Sequence, residues 1–109
     1  MGLGKVYLLV QINEIGQETY KIGITKNNPN IRLSTLQTGN PNKINILHVY
    51  ETENYKKVEL WLHKKYSASK TNAKNEWFSL KNDQVLSFIA DCIKINSTIE
   101  YLKKENPFC

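Results

Sequence analysis

The chain has 109 residues, 40% of them hydrophobic and 23% charged, with a formal net charge of +5. That is one soluble globular domain, long enough to bury a core without covalent staples. Cys92 and Cys109 lie far apart and His48 and His63 have no third histidine, which excludes a disulfide framework, a cysteine-based zinc pattern and a multi-histidine zinc site.

The basic balance favours a polyanionic partner, nucleic acid before membrane, against the plainer reading of a solvated lysine face. Val6–Val10 is too short an apolar run for a signal peptide or a membrane span. Gly2 lacks the serine or threonine that myristoylation wants four residues on, since Val6 stands there. The expected setting is the cytoplasm, with no membrane partner.

Lys5–Ile12 alternates, with Val6, Leu8, Val10 and Ile12 on one face and Tyr7, Leu9 and Gln11 on the other. Asn13–Glu18 is polar, contains Gly16 and reads as a hairpin loop. Thr19–Thr25 is the returning strand, with Tyr20, Ile22 and Ile24 on one face and Lys21, Gly23 and Thr25 on the other. If Gly23 sits opposite Tyr7, its missing side chain makes room for the tyrosine ring; a bulge or an indifferent glycine is the alternative. Asn28-Pro29 suits a helix start, with Ile31, Leu33 and Leu36 available for packing and Gly39 at its end. Arg32 in this helix is the only arginine among 15 basic residues. A guanidinium grips a phosphate in two places where an ammonium cannot; chance in a lysine-biased chain is the competing reading.

Ile44–Glu51 is a third strand. Asn54–Ser67 is a helix whose apolar stripe is Tyr55, Val58, Leu62 and Tyr66, and Glu59 falls within that stripe. Its opposite face carries Lys56, Lys57, Lys64 and Lys65. A carboxylate in an apolar stripe needs a cation, so Glu59 either serves a metal or catalysis, or forms a structural ion pair. Ser67–Asn75 reads as a surface loop, and Glu76–Leu80 as a short strand or extended segment with Trp77 and Phe78 in the core. Asn82 caps a long final helix to about residue 104. Its seam of Phe88, Cys92, Ile95, Ile99 and Leu102 packs on the sheet or, in a weaker reading, forms a homodimer. Asn96-Ser97 is the point where that helix can break.

These pieces resemble the GIY-YIG nuclease superfamily, and within it the small branch named after a phage T5 open reading frame. The likeness rests on Lys21-Ile22-Gly23-Ile24-Thr25, on Arg32 with Leu36-Gln37-Thr38-Gly39-Asn40-Pro41, on Glu59 and His63 one turn apart, and on Glu76-Trp77-Phe78. It covers roughly residues 5–80 and leaves the last helix outside. It implies an α+β fold, a small central antiparallel sheet of about three strands flanked by helices, with the long C-terminal helix added to it. It also implies metal-dependent hydrolysis of DNA. By position, Tyr7 matches the tyrosine of the first motif, Arg32 the phosphate-contacting arginine, and Glu59 the carboxylate that holds one Mg²⁺ or Mn²⁺. Two departures stand out. Lys21 replaces the second motif's tyrosine, and Leu36 stands where other branches often have histidine or tyrosine. Tyr7 is then the expected general base. A phenol titrates near 10, and Lys21 beside it favours the phenolate. His63 orients Glu59, contacts phosphate or acts as base, or else is a packed helix-edge histidine. Thr25, Gln37, Thr38, Lys56 and Lys64 are candidates for DNA contact, although capping and turn roles explain Thr25, Gln37 and Thr38 equally well. A DNA-binding module that keeps the fold without the chemistry is the second functional expectation.

Overall fold

The computed structural model describes residues 2–72 and 75–105; Cys109 lies outside them. The chain opens with a hairpin, β1 (Gly4–Ile12) and β2 (Glu18–Thr25). Asn13 closes it, its Oδ1 accepting from the amides of Ile15 at 3.1 Å and Gln17 at 2.9 Å. Gly16 takes the left-handed conformation, φ +82°, that this turn requires. Helix α1 (Pro29–Gln37) is capped by Asn28, whose side chain accepts from the Asn30 amide. β3 (Lys43–Thr52) and α2 (Tyr55–Lys65) follow, then a 3-10 turn at Ser67–Ser69.

Residues expected as loop instead form β4 (Lys70–Asn72), which pairs with β5 (Asn75–Phe78). The sheet therefore has five strands in the order β3-β1-β2-β5-β4, every recorded pair antiparallel. The added strand β4, Lys-Thr-Asn, is short and polar, so it shows none of the apolar alternation that announces a half-buried strand. In β3, Leu47 has no opposite number: Leu8 faces His48 and Leu9 faces Ile46. The two halves of β3 are thus out of phase with each other.

The period-2 pattern of the hairpin builds two cores. On one face Val6, Leu8, Val10, Tyr20 and Ile22 pack under Val58 and Leu62 of α2 and under the C-terminal helix. On the other, Tyr7, Leu9 and Ile44 pack with Leu33 and Leu36 of α1 and with Trp77. Ile31 stays out of this packing and is 62% exposed.

The final helix is two helices, α3 (Asn82–Leu86) and α4 (Phe88–Glu105), with a turn at Ser87. Lys81, one residue earlier than expected, is the N-cap of α3, and its amide donates to Gln84 Oε1 at 2.8 Å. Phe88, Cys92 and Ile99 of the seam are buried and Leu102 is exposed. The seam's inner part is thus spent on the domain's own core. Asn96 does not break α4. Its Oδ1 accepts from Thr52 Oγ1 at 2.6 Å and from Asn54 Nδ2 at 2.9 Å. Asn54 Nδ2 also donates to Glu100 at 2.9 Å, and Lys103 donates to Asn54 Oδ1. This part-buried polar knot fixes the start of α2 against α4. Among the described residues, no helix is long and apolar enough to cross a membrane.

Candidate active site

β5 pairs with β2 only at Tyr20 and Lys21. Beyond Lys21, β2 runs along an open cleft of about 770 Å³. The recorded pairing of β5 with β2 ends there, and side chains from both faces of the sheet reach one space. Tyr7 and Lys21 come from the α1 face, and Arg32 comes from α1 itself. Lys56, Glu59, Leu60 and His63 come from α2 on the other face, and Ile22–Thr25 form the rim between them.

Tyr7 is opposite Gly23. A Cβ on Gly23 would lie 2.5 Å from Tyr7 Cζ and 2.8 Å from Cε1, far inside carbon contact distance. The glycine is needed because the ring lies flat across the strand. Tyr7 is 2% exposed, so packing fixes the ring while it still lines the cleft.

Lys21 is 9% exposed, and its Nζ lies 5.8 Å from the centre of the Trp77 ring. That is within the range in which a ring face attracts an ammonium. The pair follows from Lys21 standing opposite Trp77 across β2 and β5. Arg32 is exposed at the cleft mouth, and among the described residues it has no ion-pair partner.

Glu59 is half-buried at the margin of the α2 stripe, and its Oε2 is 4.0 Å from His63 Nε2. His63 Nε2 also lies 3.3 Å from the Ile22 carbonyl. A carbonyl can only accept, so Nε2 carries a proton there. The ring stands edge-on to Phe78, 5.3 Å between centroids. His63 is therefore packed against the sheet, as one reading expected, and it also ties α2 to the rim beside Glu59. Among the described residues no group of three or more His, Cys, Asp or Glu comes together. A single carboxylate facing an open cleft, with an arginine across from it, fits a hard ion that keeps most of its waters and shares a substrate phosphate.

Tyr7, Lys21, Thr25, Arg32, Lys56, Glu59 and His63 thus meet in one cleft. Gln37, Thr38 and Lys64 do not line it. Gln37 Nε2 donates to the carbonyls of Asn40 at 3.1 Å and Asn42 at 2.8 Å, and its Oε1 accepts from the Ile44 amide at 3.0 Å. Thr38 Oγ1 donates to the Ser34 carbonyl at 2.9 Å. These two side chains build the turn from α1 into β3. Lys64 is exposed on α2 away from the cleft. Leu36, the second departure, packs in the α1-face core. Leu60 at the mouth gave no signal in the sequence, since it lies outside the apolar stripe.

The fold and cleft are those of a small α+β domain, and the family model that matches the chain is GIY-YIG-like and nuclease-associated. The chain belongs to the T5orf172 domain family, whose model matches residues 4–94. The match passes the expected limit near residue 80 and takes in α3 and the first turns of α4. No curated protein and no solved structure matches.

Proposed function

We propose that this domain is a metal-dependent endonuclease that hydrolyses DNA phosphodiester bonds. The observation that carries the reading is the meeting of Tyr7, Arg32 and Glu59 in one cleft at the open rim of β2, although they come from three separate elements on two faces of the sheet. Membership of a nuclease-associated family supports it.

Arg32 binds a non-bridging phosphate oxygen, where negative charge grows as the reaction proceeds. Tyr7, as the phenolate, takes the proton of the attacking water as the new P–O bond forms. The bond to the leaving oxygen breaks, and that oxygen acquires a proton from solvent. Lys21, its Nζ over the Trp77 ring, supplies positive charge on the phenol's side of the sheet. Glu59 would hold one Mg²⁺ or Mn²⁺. When bound, that ion supplies Lewis-acid polarisation of the phosphate and charge for the leaving oxygen. His63 positions Glu59 by holding α2 to the Ile22 carbonyl.

The second reading is a DNA-binding module without efficient chemistry. The burial of Tyr7 favours it, because a phenol only 2% exposed is a constrained base. Supercoiled plasmid incubated with Mg²⁺ or Mn²⁺ separates the two. The nuclease reading expects nicking that falls roughly 10²-fold or more in Glu59→Gln and Arg32→Gln, with DNA binding kept in Glu59→Gln. Intact plasmid under both ions, alongside metal-indifferent and salt-sensitive DNA binding, gives the answer to the binding module.

A further inference from the structure

Lys56 lines the cleft and also lines a second depression of about 290 Å³. The other walls of that depression are Gly2, Lys26, Glu53, Asn54, Tyr55 and Lys57. Both of its sides prolong the cleft. Lys26 comes directly after Thr25 of the rim, and Lys57 directly after Lys56. Lys26, Lys56 and Lys57 are all exposed. Against these three ammonium groups the depression has one carboxylate, Glu53. The Asn54 amide is turned into α4, bonded to Asn96, Glu100 and Lys103, so it is not part of the charged lining.

At the α1 end matters differ. The shallow depression there is lined by Leu33, Ser34, Gln37, Thr38 and Ile44, with no charged side chain. The Gln37 and Thr38 side chains are engaged in the turn. Positive charge therefore continues from the cleft into the depression at the start of α2 and not into the one on α1. A polyanion seated in the cleft gains counterion release by following that direction.

We infer that a DNA strand held in the cleft leaves it across the start of α2, where Lys26, Lys56 and Lys57 neutralise the phosphates flanking the reacting one. This rests on the reading of the cleft as a DNA site. It assigns the flanking contacts to residues after β2 and at the head of α2, and takes them away from Gln37, Thr38 and Lys64.

The test is binding of a fluorescent oligonucleotide by the full chain, without divalent ion, across a salt series. Wild type is compared with Lys26→Gln/Lys57→Gln, with Lys43→Gln/Lys94→Gln as an equal charge change elsewhere, and with Arg32→Gln as a probe of the cleft. All four lysines are exposed, and equal melting temperatures verify that the fold is kept. Losing two phosphate contacts should lower the slope of log K against log salt by about 1.8 for duplex or about 1.4 for single strands. The control pair should leave the slope near wild type. If both pairs lower it equally, or Lys26→Gln/Lys57→Gln leaves it unchanged while Arg32→Gln weakens binding, the path is overturned and the cleft reading stands. If wild type binds no DNA, both are overturned.

Discussion

Gly23→Ala puts the closest contact in the cleft to a direct test. The new Cβ would sit 2.5 Å from Tyr7 Cζ, whereas carbon atoms rest at roughly 3.5–4.0 Å. The ring must retreat by about 1 Å, or the two strands must part by a similar amount. Overpacking of this kind costs about 1–3 kcal/mol, and each kcal/mol moves the melting temperature of a domain this size by at least about 4 °C. Thermal unfolding followed by circular dichroism reads that cost. Displacing the phenol by about 1 Å should also slow plasmid nicking by about 10²-fold. Tyr7→Leu removes every ring atom that the Cβ would meet while keeping an apolar side chain in the core. On that background Gly23→Ala should cost nothing, and should gain about 0.4–1 kcal/mol from reduced freedom of the unfolded chain. The sign of the effect therefore reverses between the two backgrounds. Additive costs in the double mutant would refute the geometry, and with it the claim that Gly23 exists to admit the ring.

Gln37→Ala should lower the melting temperature and leave the salt slope of DNA binding unchanged, because its amide serves three backbone groups of the α1–β3 turn. A changed slope with unchanged stability would return it to the DNA interface. Asn54→Ala strips partners from Asn96, Glu100 and Lys103 and should cost about 1–3 kcal/mol, read as a lower urea midpoint at constant m-value. A wild-type midpoint would mean that the knot adds nothing to stability. At high pH, burial and then the Asp91 charge push the Cys92 thiol up to about 12 from 9.0. Burial, and then its bond and charge contact with Glu18, push the Tyr20 phenol up to about 12 from 10.0. Both folded values lie above the unfolded ones, so the stability these groups contribute is whole below about pH 9 and is lost as pH rises towards 12. Melting temperature against pH should bend down from about pH 9, and in Cys92→Ala from about pH 10; an unshifted onset would refute the assignment to the thiol.

The hairpin was readable because its residues declare themselves locally. Alternation marks β1 and β2, and one glycine in a strand leaves few reasons for its presence. Glu59 was readable because a carboxylate in an apolar stripe conflicts with burial unless something answers its charge. What escaped depends on partners remote in the chain. Lys21 meets Trp77 only because β5, more than fifty residues on, pairs with β2 in the register that sets them opposite. Asn96 looks like a helix breaker until Thr52 and Asn54 arrive to use it. Gln37 and Thr38 carry hydrogen-bonding groups equally apt for phosphate and for a turn, and only the backbone nearby decides between them. Lys26 and Lys57 were two more exposed lysines until the depression gathered them beside Lys56.

The odd residue in β3 bears on what happens when two copies collide. That strand is the outermost on its side and ten residues long, the kind of margin on which a stray strand could grow a larger assembly. An incoming strand with an unbroken pleat would match Lys43–Ile46 or His48–Thr52, but Leu47 forbids it from matching both. That margin offers a template only half as long as it looks, which is how a bulge blunts an edge strand against growth.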